Sequence, residues 1–343
     1  MQARKEVTRC INTLELSGEE AKRISGEIIP FDSFEGAIGR QGYTHVDPLG
    51  IILAITPFND PLNLVAHKLG PAVAAGNSVI LKPSELAPLS SIKLVDAFVR
   101  GGLNKHIISV VIGDADIGRE LVSANDIRMV SFTGGMATGE AITKTAGLKK
   151  IAMDLGGNAP VIIMADSDLD KAVKATVSGS FWASGQNCIG TQRIFVEHSI
   201  FDKFLSAFVE QTKALNVGDP MNETTDVGPM ITPEQSMRIQ SWVEDAIKQG
   251  AMLLTGHQRN DNIYTPTVLT KVPTSSRLCM KEVFAPVVIL ESFDCFDEVI
   301  SWANRVDYSL HAGIFTSNLE TALKAADSLE ASGVMINDSS DFR

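Results

Sequence analysis

The chain of 343 residues is predicted to be an α/β protein in which a doubly wound, mostly parallel sheet domain is followed by a second α/β domain. Three observations lead there. Between residues 50 and 155, short apolar runs alternate with longer stretches of helical periodicity. The residues after each run are polar, glycine-rich or proline-bearing, as expected where parallel strands end at a ligand crevice. The length exceeds one typical hydrophobic core, so two domains are expected, 1–157 and 158–343. Hydrophobic residues make up 44% and charged residues 21%, which supplies both interiors.

Each element follows from its local pattern. Residues 1–30 read as helical, with a turn expected at Ser17-Gly18 and Pro30 closing the segment. Gly36, Gly39 and Gly42 interrupt 34–46, so an extended arm or hairpin is expected near 30–48. Residues 50–56 form a continuous apolar run of the kind seen in strands buried on both faces. A helical stretch at 61–75 ends at Gly76-Asn77. The pattern repeats with strands at 78–82, 107–112, 128–132 and 150–155 and helices at 90–100, 116–124 and 138–146. This βαβαβ series predicts a Rossmann-like domain with right-handed crossovers. The second domain opens with a strand at 159–164 and the acidic turn Asp166-Ser167-Asp168-Leu169-Asp170, expected to cap a helix at 169–183. A strand at 193–196, a helix at 201–215, a Gly/Pro/Thr-rich loop and a helix at 233–249 follow. Further strands are expected at 252–255, 267–272, 287–293, 312–316 and 334–336, with helices at 296–303 and 319–332.

Composition excludes several function classes. A net charge of -11 argues against nucleic-acid binding, which needs a basic surface. The N-terminus lacks the apolar core of a secretory signal, and no stretch reaches the roughly 18 apolar residues of a membrane span, so a cytoplasmic location is expected. Cys10, Cys188, Cys279 and Cys295 form no CxxC pair, which indicates neither a disulfide framework nor a zinc site. The six histidines are scattered and read as packing or surface residues, with His67 on a helix expected to face the sheet.

The candidate chemistry lies after the strands. No GxGxxG follows the first strand. Instead Gly134-Gly135-Met136-Ala137-Thr138-Gly139 opens a helix after a strand, where glycines allow close approach and free N–H groups attract a phosphate. Lys82 and Glu85 follow another strand and suit the two hydroxyls of an adenosine ribose, which favours NAD over NADP; a helix-cap role for Glu85 is the alternative. In Ser184-Gly185-Gln186-Asn187-Cys188-Ile189-Gly190 a single thiol sits among small residues just after Phe181-Trp182-Ala183, which read as core or pocket wall. Cys188 is therefore either a buried small hydrophobe or a nucleophile.

Six motifs occur in the order and spacing of one family. They are Thr56-Pro57-Phe58-Asn59, Lys82-Pro83-Ser84-Glu85, Phe132-Thr133-Gly134-Gly135, Leu155-Gly156-Gly157-Asn158-Ala159-Pro160, Ser184 to Cys188, and Glu282-Val283-Phe284-Ala285-Pro286. Through them nearly the whole chain resembles the aldehyde dehydrogenase superfamily. The resemblance implies NAD- or NADP-dependent oxidation of an aldehyde to an acid, with residues 1–157 binding the dinucleotide and 158–343 bearing the nucleophile. It implies that Cys188 attacks the aldehyde carbon, that Asn59 and the cysteine N–H hold the oxyanion, and that a water hydrolyses the thioester. Glu282 and Phe284 are implied to position the nicotinamide ribose and ring. Thr56, Pro57, Phe58, Lys82, Ser84, Glu85, Gly134, Gly135, Gly139, Leu155 and Gly156 complete the implied cofactor site. A small-molecule aldehyde is the expected partner, and a homodimer or homotetramer the expected full-length assembly.

Three departures from the family pattern qualify these expectations. Asp154 stands before Leu155-Gly156-Gly157 where the family has a longer Glu as general base, so transfer of the acyl group to coenzyme A, or dinucleotide binding without turnover, are alternatives. Family members carry further residues before Met1 and after Arg343. The chain is accordingly expected to be a fragment with an N-terminally incomplete cofactor domain and an exposed sheet edge. The segment Asn337-Asp338-Ser339-Ser340-Asp341-Phe342-Arg343 resembles members acting on small polar or anionic aldehydes, where an arginine pairs with an acid group. Asp60 and Asn187 build no anion pocket, and a small polar aldehyde is the expected substrate.

Overall fold

The computed structural model describes residues 2–342, which fall in two compact units divided between Asp154 and Leu155. In order, the first unit contains α1 (Gln2–Ala21), β1 (Ile28–Ile29), β2 (Gly42–Tyr43), β3 (Ile51–Ile55), α2 (Asn63–Ala74), β4 (Ser78–Lys82), α3 (Pro88–Arg100), β5 (Ile108–Val110), α4 (Ala115–Ser123), β6 (Ile127–Gly134), α5 (Met136–Ala146) and β7 (Lys150–Leu155). The sheet order is β5-β4-β3-β6-β7, and β3 pairs in parallel with both β4 and β6. Leu53, Ala54, Val79, Leu81 and Val130 are buried, as befits strands covered on both sides. One face packs against α1, α2 and α3 through Cys10, Val65, Leu69 and Leu94. Helices α4 and α5 contact β6, and α4 also contacts β3.

Helix α1 runs unbroken through Ser17-Gly18 instead of turning there, and it ends at Ala21, well before Pro30. The physical reason is twofold. The Ser17 hydroxyl donates to the Thr13 carbonyl one turn back at 2.8 Å, and the helix docks on α2, where a Cβ at Gly70 would sit 2.5 Å from Ser17 Oγ and 3.3 Å from Leu14 Cδ2. The segment after Ala21 pairs Ile28 with Tyr43 across β1 and β2, a two-residue antiparallel ladder within the predicted arm.

The second unit contains β8 (Ala159–Ile163), α6 (Leu169–Phe181), β9 (Thr191–Glu197), α7 (Phe201–Lys213), α8 (Pro233–Lys248), β10 (Met252–Thr255), β11 (Arg259–Asn260), β12 (Ile263–Tyr264), β13 (Thr267–Thr270), α9 (Arg277–Met280), β14 (Val287–Phe293), α10 (Phe296–Ala303), β15 (His311–Phe315), α11 (Leu319–Ser328) and β16 (Gly333–Ile336). The seven-stranded sheet runs β10-β13-β14-β9-β8-β15-β16, parallel except for β10. Phe181, Phe204 and Phe208 of α6 and α7 fill one core with Ile194 and Val196. Phe195, Phe293, Val299 and Ile314 fill another with α10 and α11. Asp168 caps α6 by accepting from Lys171 N at 3.1 Å, while Asp166 instead accepts from Thr316 and Ser317.

The short β11–β12 hairpin and helix α9 carry no readable periodicity. Helix α6 stops at Phe181, two residues short of the expected end, because the next residues turn left-handed. No helix among the described residues is long and apolar enough to cross a membrane, and no His/Cys/Asp/Glu cluster there has metal-binding geometry.

Candidate active site

In the first unit the chain leaves β3 for β4 and β5 on one side, then returns to β6 on the other, so the carboxyl ends of β3 and β6 flank a topological switch point. Thr56 follows β3 directly. It is 4% exposed, and its Oγ1 is buried without a hydrogen-bond partner among the described residues. Such an orphan hydroxyl costs free energy unless something comes to meet it. Pro57, Phe58 and Asn59 continue from Thr56 half-buried, and Asp60 takes φ 45° while pairing with Arg9 at 3.2 Å.

Across the switch point, Gly134 ends β6 and Gly135 caps α5 with extended backbone and no side chain. A Cβ at Gly134 would meet Phe132 Cζ at 2.5 Å, whereas at Gly135 the space is open. The first helical bond runs from Gly139 N to Gly135 O at 3.1 Å, which leaves the preceding N–H groups of α5 for a ligand. A cavity of about 330 Å³ lies between α4 and α5, lined by Ile55, Lys82, Gly118, Arg119, Thr138 and Ile142 among others. Lys82 ends β4 and is buried, with its Nζ 3.9 Å from Glu85 Oε2. Glu85 is exposed and does not cap α3, whose first turn holds no acid; Ser84 Oγ accepts from Leu86 N. An apolar slot, a basic and an acidic group at its end, and a bare helix N-terminus suit the base, ribose and phosphates of a nucleotide.

Asp154 sits on β7 with Oδ2 accepting from Thr133 Oγ1 at 3.1 Å. A residue that the sequence reading missed is Lys68, buried on α2 and donating to Ser131 Oγ at 3.1 Å. Burial pushes its ammonium down to about 8, and the negative charge of Asp154 partly opposes that shift. The signal was available. Leu64, Lys68 and Ala72 follow one another at four-residue spacing, all on the buried face of α2. His67, expected to face the sheet, is exposed next to it and lies 3.3 Å from Asn63 Nδ2.

In the second unit Cys188 is 8% exposed at the end of a strained loop. Ala183 and Ser184 adopt φ 50° and 57°, and Gly185 follows at 67°. Two successive non-glycine residues in the left-handed region cost energy and persist only where neighbours enforce them. The neighbours here are specific. Ser184 Oγ donates to Gly228 O at 2.8 Å, Gln186 Oε1 accepts from Ile231 N at 2.9 Å, and a Cβ at Gly185 would overlap the Ala285 carbonyl. The Cys188 thiol lies 3.9 Å from Asn187 Oδ1.

The Ala285 segment also carries Glu282 and Phe284, the latter at φ 47°. Glu282 Oε1 is buried with no hydrogen-bond partner among the described residues. Burial pushes its carboxyl up to about 7, against the opposing pull of the Gly157 N–H and of Arg238. A Cβ at Gly156 would overlap that carboxylate, so Gly156 has to be glycine for Glu282 to sit there. Gln192 fixes the two loops together, donating to Gly157 O at 2.9 Å and accepting from Val283 N at 2.7 Å. Leu155 enters this loop half-buried from the end of β7. In the second unit Gln192 thus bonds the Gly156 loop to the Glu282–Phe284 segment, and the loop bearing Cys188 packs on that segment through Gly185. The first unit gathers Thr56 to Asn59, Lys82, Gly134, Gly135 and Asp154 at its strand ends.

Known proteins are similar to this chain over its whole length. The chain is 60% identical over 342 residues to aspartate-semialdehyde dehydrogenase 1 of Pseudomonas canavaninivorans, covering 100% of itself and 73% of that protein. Its fold matches a glyceraldehyde-3-phosphate dehydrogenase of Methanocaldococcus jannaschii complexed with NADP, at TM-score 0.94 and 44% identity, covering 100% of this chain and 74% of that one. It matches aldehyde dehydrogenase 21 of Physcomitrella patens, in complex with the reaction product succinate, at TM-score 0.96 and 36% identity, with 99% and 71% covered. Residues 1–343 match the profile of the aldehyde dehydrogenase family, and the chain belongs to that family.

Proposed function

We propose that the protein is an NAD- or NADP-dependent aldehyde dehydrogenase that oxidises a small polar aldehyde carrying an acidic group to the carboxylic acid. The observation that carries this reading is the left-handed turn at Ala183-Ser184-Gly185, which holds Cys188 and packs Gly185 against the segment bearing Glu282 and Phe284. A strained loop bearing one thiol, packed on a segment with an orphaned carboxylate, supports a catalytic reading. The substrate class rests on the relatives named above, whose names or bound product involve aspartate semialdehyde, glyceraldehyde 3-phosphate and succinate.

Each residue contributes what its chemistry allows. The Cys188 sulfur attacks the aldehyde carbon as thiolate, and the resulting oxyanion accepts from the Asn59 amide and the cysteine backbone N–H. A bound nicotinamide would supply the acceptor for the hydride that the thiohemiacetal loses on becoming a thioester. Glu282 would accept from the nicotinamide ribose through its orphaned oxygen, and Phe284 would support the ring. Thr56 Oγ1, the first turn of α5, the Lys82–Glu85 pair and the cavity between α4 and α5 would hold the remainder of the dinucleotide. Asp154 takes the proton of the water that cleaves the thioester and frees the thiol.

The dinucleotide role falls to residues 1–157 and the nucleophile to 158–343. A homodimer or homotetramer in the cytoplasm is the setting we propose. Acyl transfer to coenzyme A is the second reading, because Asp154 is a short acid already engaged by Thr133. Incubation with NAD or NADP and a panel of acidic and neutral aldehydes, with and without coenzyme A, tests both readings. Reduced cofactor and free acid support hydrolysis, acyl-CoA supports the second, and no reduced cofactor from any aldehyde refutes the enzyme.

A further inference from the structure

The second unit contains a cavity of about 400 Å³ that the proposed reaction does not use. It lies on the sheet face that carries Phe195 of β9 and Glu291 of β14, walled by Cys279 of α9, Trp302 of α10 and the neighbouring Arg305. Its volume falls in the range that holds a small molecule. The walls are preformed. The buried Arg193 guanidinium donates to Asn158 O at 2.8 Å, Trp302 O at 2.9 Å and Ala303 O at 2.9 Å, while Asn158 Nδ2 donates to Leu278, Cys279 and Lys281 carbonyls at 3.0, 3.3 and 2.8 Å. These bonds fix the Arg193 guanidinium as a charged part of the cavity wall.

Two further charged groups line the cavity, Glu291 and Arg305. Glu291 accepts from Val272 N at 2.8 Å, and burial pushes its carboxyl up to about 7 against the opposing pull of the Val272 and Lys271 N–H groups and of the Lys271 charge, so a further cation would favour its charged form. Arg305 is exposed at the rim and forms no ion pair with any described residue. The Phe195 and Trp302 rings, with centroids 6.2 Å apart, line the same cavity. An acid, a base and an aromatic floor in one preformed cavity call for a ligand with an ammonium, a carboxylate and an apolar body. We propose that this cavity binds a small zwitterion, an amino acid with an apolar or aromatic side chain, with its ammonium on Glu291 and its carboxylate on Arg305.

Calorimetric titration of the full chain with L-phenylalanine, without dinucleotide or aldehyde, tests the site independently of the dehydrogenase reading. Phenethylamine and phenylpropionate serve as probes lacking one charge each. Saturable binding of phenylalanine is expected, weakened by about tenfold or more in Glu291→Gln and in Arg305→Ala and weaker for both single-charge probes. Circular dichroism and melting establish that each variant is folded, and Arg305→Ala changes only an exposed residue. Absence of saturable binding, binding that either folded variant leaves intact, or equal binding of a single-charge probe overturns the proposal.

Discussion

Replacing Lys68 by Met should stabilise the first unit while impairing the enzyme. The ammonium is buried on α2 and its folded pKa lies at about 8, against 10.5 for the free group. A shift of ~2.5 units corresponds to ~3.4 kcal/mol of unfavourable burial of the charged form. The variant also loses the bond to Ser131, worth about 1 kcal/mol, so a net gain of ~2 kcal/mol remains. For a unit of this size that raises the melting temperature by ~5 °C. The sign fixes the pH window. The folded pKa is depressed, so the cost is fully present below pH 8, shrinks between pH 8 and 10.5, and vanishes above. Denaturant unfolding of both proteins at pH 7 and at pH 10 reads this directly. Turnover should fall, because the wild type tolerates the cost at the end of the site that holds Asp154. A variant no more stable at pH 7, or equally favoured at pH 10, would refute the reasoning.

Three further outcomes follow from the same geometry. Gly156→Ala should raise the KM for dinucleotide about tenfold or more, since the new Cβ overlaps the Glu282 carboxylate and displaces it; an unchanged KM measured by initial rates contradicts that contact. Glu282 has a folded pKa raised to about 7, so the affinity of the wild type for dinucleotide should increase as pH rises through 7, while Glu282→Gln should give a flat profile. If both profiles were flat in a binding titration, the carboxylate would not contact the ribose. Asp154→Asn should slow the release of acid after a rapid burst of reduced cofactor, and Asp154→Glu should speed it; stopped-flow traces identical to the wild type would place water activation elsewhere.

Much of the fold was legible because parallel strands buried on both faces leave unbroken apolar runs, as in Ile51–Ile55 and Ala159–Ile163. Ser17-Gly18 misled because the decisive term is tertiary: the close approach of α1 to Gly70 outweighs the weak local signal for a turn. The hairpin at Arg259–Tyr264 is too short and too polar to carry alternation. At the site, the glycines and polar residues after each strand could be read in advance, and Lys68 could have been, from its place on the buried face of α2. The left-handed turn before Cys188 could not, since Ala183 and Ser184 have no preference for it and only packing against Gly228 and Ala285 imposes it. The pairing of Gly156 with Glu282 joins segments far apart in sequence, and no local pattern reports it.

The most direct test of the central claim compares the wild type with Cys188→Ala on an acidic aldehyde such as succinate semialdehyde. Reduced-cofactor formation should fall by about a thousandfold or more, with dinucleotide affinity within about twofold of the wild type. Retained turnover in the variant would contradict the assignment of Cys188 as the nucleophile, and with it the account of the loop that presents it.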